Sequence, residues 1–171
     1  MATCLNTFLL LLVSLSTTLP FSSQSPPPQK STHLHLYFHE INAGPNKTTT
    51  VVIAPSNSTS SGFGTIVAFD DELREGPDPN SKLVGRAQGQ GSAVSKEEQA
   101  YLFNSNFIFV EGEYNGSTLA VYGRIVIASS IREWSIIGGT GEFRLARGYV
   151  NGTVLSSRAG TLLIELDIRV L

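Results

Sequence analysis

The chain has 171 residues, with 12 Lys+Arg against 14 Asp+Glu, a formal net charge of -2 and 15% charged residues, below the ~25% of an average soluble domain. That length suits one domain with its own core. The balance excludes a basic nucleic-acid footprint, a disordered polyelectrolyte, a disulfide scaffold and a thiolate metal site. Only 41% of residues are apolar, so Gly, Ser, Thr and Asn stand where ions usually wet a surface, a composition that points to an exported all-β protein.

No charged side chain occurs between Met1 and Gln29. The apolar run Phe8–Leu15, followed by Pro20, Ser22 and Ser23, is too short to span a membrane and has the form of a secretory signal peptide. We assign it to residues 1–23. Its removal takes away Cys4 and Met1, which are the one Cys and the one Met of the chain, and with them any thiol chemistry. Residues 24–32, which include the prolines of Ser25–Lys30, read as a stiff polar spacer; the folded domain is expected over 33–171. Four Asn-x-Ser/Thr sequons beside turn-forming residues, at Asn46, Asn57, Asn115 and Asn151, are N-glycosylation candidates. Secretion to the extracellular space is the expected destination, with no membrane association.

From there the period is two. His33–Ile41 alternates, with Leu34, Leu36, Phe38 and Glu40 on one face and His33, His35, Tyr37 and His39 on the other. Strands are predicted over Lys47–Ala54 and Phe63–Asp70, with a long turn over Asp71–Ser81. Lys82–Gly91 is a strand interrupted by glycines, a pattern of bulges or close backbone approach. Tyr101–Glu111 and Ser117–Ile127 flank a hairpin turn at Gly112–Gly116, and Ile131–Ile137 and Phe143–Val154 flank another at Gly138–Gly141. Thr161–Leu171 closes the chain with Leu162, Ile164, Leu166, Ile168 and Val170 facing inward. One short helix is predicted, Ser95–Ala100, from its Ser cap and early acids. About eight strands of this regularity predict an eight-stranded antiparallel β-barrel with a central pocket for one small ligand.

Three groups of residues bear on chemistry. The three histidines share one face, but no further ligand completes a metal set, so they are read as exposed or internally partnered; neither metal nor cofactor is expected. Glu40 continues an apolar face, where a carboxylate is costly unless it sits at a wet mouth or meets a donor, and partial burial there raises its pKa toward general acid or base work. Glu142, Arg144 and Arg147 cluster around the Gly-Gly-Thr-Gly turn, where a guanidinium beside a carboxylate can serve a phenolic or carbonyl oxygen. Arg86 is read as an ion-pair partner, and Asp70, Asp71 and Glu72 as turn caps. The Gly-rich turn lacks the Lys-Ser/Thr of a phosphate loop, and no G-x-S-x-G elbow supports Ser-His-Asp catalysis.

Five segments carry a resemblance: Leu36-Tyr-Phe-His-Glu40, Phe69-Asp-Asp-Glu-Leu-Arg-Glu-Gly-Pro77, Gly85-Arg-Ala-Gln-Gly89, Glu111-Gly-Glu-Tyr-Asn-Gly-Ser-Thr-Leu119, and Arg132-Glu133 leading into Gly138-Gly-Thr-Gly-Glu-Phe-Arg-Leu-Ala-Arg-Gly148. In order and spacing they resemble the plant dirigent proteins. The resemblance implies an allene-oxide-cyclase-like barrel, secreted to the apoplast and assembled as a homo-oligomer, with a trimer favoured over a dimer. It also implies a stereoselective role in coupling monolignol radicals of the coniferyl alcohol type toward lignans. A separate laccase or peroxidase would supply the radicals, so the protein needs no redox centre. By the same resemblance Glu40, Glu142 and Arg147 are the acid–base and oxygen-orienting residues, with Glu40 standing where the family usually has Asp. Similar proteins dehydrate isoflavanols to pterocarpans through a quinone methide, and a wall protein that binds phenolics or glycans without turnover is the remaining alternative.

Overall fold

The computed structural model describes residues 31–55 and 62–171; the signal-peptide assignment, most of the spacer and the Asn57 sequon lie outside them. Nine antiparallel strands occur in chain order: β1 (Thr32–Ile41), β2 (Thr49–Ile53), β3 (Ile66–Arg74), β4 (Leu83–Ala93), β5 (Ala100–Phe109), β6 (Thr118–Val126), β7 (Ile131–Thr140), β8 (Gly148–Arg158) and β9 (Thr161–Val170). Each strand from β3 to β9 pairs with the next, β9 pairs with β1, and β1 pairs with β3, so eight strands close a barrel. The ninth, β2, shares the outer edge of β3 with β1. β1 takes the second half of β3, with Phe38 opposite Leu73, and β2 takes the first half, with Thr49 opposite Phe69. Closure leaves no long strand edge free for aggregation.

The alternation in the sequence sets which face is inside. Leu36 and Phe38 of β1 and Ile164, Leu166, Ile168 and Val170 of β9 are buried in the barrel core, while the residues between them carry the outer polar rows. On that outer face His33 pairs with Asp167 and His35 with Glu165, both at 2.8 Å, and His39 meets the Gly76 carbonyl at 3.0 Å. Arg86 pairs there with Asp70 at 2.5 Å.

The glycines of β4 mark close approach, and the β3–β4 register also shifts beside Gly85, where Val84 is the extra residue between the Leu73 and Arg74 pairings. A Cβ on Gly89 would stand 2.1 Å from the Asn104 carbonyl oxygen and 2.9 Å from the Phe69 ring. With no side chain there, Phe69 of β3 and Phe103 of β5 stack face to face across β4, with centroids 5.2 Å apart.

Several predicted boundaries move, among them the end of β7, which runs through Gly138 and Gly139 to Thr140 where a turn is expected. The strand expected to end at Asp70 continues to Arg74, because β1 and β4 both offer pairing partners to that stretch. The turn begins only at Glu75, so Asp71 and Glu72 are strand residues and not turn caps. Ser95–Ala100 is not a helix. Its Ser95 hydroxyl does accept the Glu97 and Glu98 backbone N–H groups, each at 3.3 Å, but Ala100 is already paired in β5, so the cap has no helix to propagate. Finally, β8 starts at Gly148 rather than Phe143. Phe143 instead packs against Phe109 and Tyr114, with centroids 5.3 Å and 4.8 Å away, and these rings plug one end of the barrel.

Candidate active site

At the other end of the barrel, formed by the ends of β1, β4, β6 and β8 and the starts of β3, β5, β7 and β9, the inward side chains border open space. The result is a cavity of about 510 Å³, within the range of small-molecule sites. Its walls are apolar and aromatic. Phe38, Phe69, Phe103 and Trp134 form a continuous row, with successive centroids 6.5, 5.2 and 5.1 Å apart. Against this background the ionisable lining groups are few: Glu40 from β1, Asp71 from β3, Tyr101 from β5 and Arg132 from β7.

Glu40 and Asp71 belong together through the barrel's closing seam. The β1–β3 register places Phe38 opposite Leu73 and His39 opposite Glu72; one further step puts Glu40 beside Asp71, both side chains inward. Asp71 has no exposed surface. The Thr48 hydroxyl hydrogen-bonds its Oδ1, and that hydroxyl is itself fixed by the Ile41 N–H at 2.9 Å. Asp71 Oδ2 has no partner within the protein.

Their surroundings split the two carboxyls. Burial, aided by the negative neighbours Glu40 and Asp70, pushes Asp71 up to about 8 despite the Thr48 hydrogen bond, so it holds a proton at neutral pH. Burial also raises Glu40, but the side chains of Asn42 and Thr49 and the positive charge of Arg132 pull the other way. Of the two, Asp71 is the one that holds its proton, and Glu40, raised on balance but with these opposing partners, is the first to ionise. Arg132 is lowered by its own burial and supported by Glu40; its Nε has no acceptor in the protein. Two carboxyls that ionise at different pH, beside a cation with a free donor, can give a proton, take a proton and hold a developing oxygen charge.

Of the three sequence-predicted residues, only Glu40 lines this cavity. Glu142 and Arg147 follow β7 and precede β8, at the end plugged by Phe143, and both are exposed. Arg147 Nη1 donates to the Ile137 and Ala146 carbonyls, each at 2.8 Å, and the Arg147 backbone exchanges hydrogen bonds with Leu171 at 3.1 and 2.7 Å. Arg147 staples the end of β7 to the following turn and takes no part in the cavity; no ion pair joins it to Glu142 among the described residues.

Asp71, Arg132 and Trp134 also line the cavity, and the sequence offers none of them as a site candidate. Asp71 alternates with Val67, Phe69 and Leu73, but the turn-forming run around Gly76 and Pro77 conceals that period. Arg132 and Trp134 alternate with Ile136 on a strand that the sequence does predict; nothing in the sequence says which end of the barrel is open. The sequons also separate. Asn46 and Asn115 stand exposed on turns, whereas Asn151 is half-buried within β8, not beside a turn as expected.

Comparison with known proteins agrees with this geometry. A family model for Dirigent-like protein matches residues 31–171. Over 151 residues the chain is 49% identical to Dirigent protein 1 of Arabidopsis thaliana, covering 85% of this chain and 81% of that protein. Over 168 residues it is 41% identical to Pterocarpan synthase 1 of Glycyrrhiza echinata, covering 92% and 89%. The solved structure of the pterocarpan synthase dirigent protein PsPTS1 superposes with a TM-score of 0.78 at 42% identity, over 84% of this chain and 96% of that one. An inward acid pair in a closed barrel, the five sequence motifs and these matches have one common source: the chain belongs to the dirigent protein family.

Proposed function

We propose that the protein is a lyase of the pterocarpan synthase type, dehydrating an isoflavanol-like phenolic benzylic alcohol through a quinone methide. The observation that supports this reading is the inward Asp71–Glu40 pair beside Arg132 inside an aromatic pocket, with Asp71 fully buried. Asp71 gives its proton to the benzylic hydroxyl; the carbon–oxygen bond breaks and water leaves. Glu40 takes the proton of the conjugated phenol, whose electrons close the quinone methide, and Arg132 faces the oxygen that carries the partial charge. The second phenol of the substrate then adds to the benzylic carbon and returns its proton to Asp71, while Glu40 re-protonates the first phenol oxygen. The sum is loss of one water, with both carboxyls restored and no oxidant consumed.

A second reading is a stereo-director of monolignol radical coupling toward lignans, with a separate laccase or peroxidase making the radicals. The four-ring aromatic row favours it, since two phenolic rings can stack along it in succession. In either case the proposed setting is extracellular, with the barrel glycosylated and assembled as a homotrimer. Oxidant dependence separates the two. Purified protein given a racemic 7,2'-dihydroxyisoflavan-4-ol without oxidant is expected to yield one pterocarpan enantiomer. No product there, with enantiomeric excess only in coniferyl alcohol plus laccase, would favour the director.

A further inference from the structure

The only Trp of the chain is Trp134, and it is 2% exposed. Its indole Nε1 is buried and has no hydrogen-bond partner within the protein, yet the residue forms part of the cavity wall. A buried donor without an acceptor is costly and needs an explanation. The ring is not free to turn away and find one. It lies across two glycines on the neighbouring strands: a Cβ on Gly123 would be 2.8 Å from its Cδ1, and one on Gly152 2.8 and 2.9 Å from its Cζ3 and Cη2. Phe103 stacks on it at 5.1 Å and 28°. The strand and the glycine cradle thus fix the direction of the N–H, as a specificity device requires.

Resting on the pocket being the phenolic site, we infer that Trp134 is a specificity-determining residue whose Nε1–H donates to an oxygen on the substrate's second aryl ring. Arg132 and Trp134 are two residues apart on the same face of β7, so their Cα atoms are about 7 Å apart along the strand and both unpartnered donors belong to one wall of the cavity. Arg132 lies with the acid pair, where the benzylic carbon reacts. Trp134 lies one step deeper, beside Phe103, where the remote ring of a two-ring substrate stacks. An ether or phenol oxygen on that ring supplies the missing acceptor; a hydrocarbon substituent of the same size leaves the N–H buried and unpaired. The site therefore selects diaryl substrates oxygenated on the ring remote from the reacting carbon.

The test uses two product-like probes, a 3-hydroxy-9-methoxypterocarpan and its 9-ethyl analogue, which differ in the acceptor and hardly in shape. The protein gives a single indole N–H resonance, so wild type reports the contact directly: a downfield shift with the methoxy probe relative to the ethyl probe is expected. Binding of the methoxy probe should be tighter by roughly fivefold, the worth of one neutral hydrogen bond, and Trp134→Phe should bring the two affinities together. Equal shifts and equal affinities in wild type, or a methoxy preference that survives Trp134→Phe, would overturn the assignment while leaving the pocket's function standing. If neither probe moves the resonance, the pocket is not the phenolic site, and both readings fall. The wild-type comparison holds even where the variant fails to fold.

Discussion

A carboxyl that keeps its proton to about pH 8 in the folded protein and to about 4 in an unfolded chain leaves a mark on stability as well as on rate. Between those values the folded state binds the extra proton. Stability is then fully present below about pH 4 and declines as pH rises through the folded value, by about 1.4 kcal/mol per pH unit at most. Asp71→Asn removes the ionisation while keeping the shape, so its urea midpoint should gain on wild type at pH 8 and not at pH 4. An equal gain at both would show that Asp71 is charged throughout. For catalysis the same residues act in opposite senses. Glu40→Gln should lower kcat by about 10²–10⁴-fold, the usual worth of a general base, with a much smaller change in KM. Glu40 is legible in the sequence because it interrupts an apolar stripe; Asp71 is not, because burial by pairing on both sides of β3 is a tertiary fact that local turn propensity contradicts.

At the level of strands, the aromatic row depends on what is missing beside it. Gly89 lets Phe69 and Phe103 meet across β4, and Gly123 and Gly152 receive the Trp134 ring from either side. Gly152→Ala would press a methyl against the indole and against Ile164, whose Cγ2 is 3.1 Å from the position of that Cβ. A loss of about 1–3 kcal/mol in unfolding free energy is expected from overpacking of this kind, with altered fluorescence of the one Trp; unchanged stability would mean that the cradle is looser than it stands. Strand existence is readable throughout from period two, and so is the inward face. Strand ends are not, since β3, β7 and β8 are extended or cut by partners and by the Phe143 plug, and a Ser cap at Ser95 cannot make a helix where β5 is already due to start.

Over the whole molecule the barrel has two unlike ends. One is sealed by Phe109, Tyr114 and Phe143 and stapled by Arg147; the other opens on Glu40, Asp71 and Arg132. Motif similarity draws attention to both ends equally, and only the closure of β1 on β3 tells which one holds a cavity. Arg147→Ala is therefore expected to lose about 1 kcal/mol of stability with its two carbonyl hydrogen bonds, and to keep kcat and product handedness per folded molecule, as chiral chromatography of the product would show. Loss of handedness in that variant would return the chemistry to the Gly-rich turn.

The proposed mechanism stands or falls on Asp71 as the proton donor, and the pH–rate profile of oxidant-free dehydration reads that role. Wild type should rise on the acid side as Glu40 ionises and fall near pH 8 as Asp71 loses its proton. Asp71→Asn should show kcat reduced by at least about 10²-fold and no falling limb near 8. A variant that keeps both the rate and the falling limb would place the acid elsewhere.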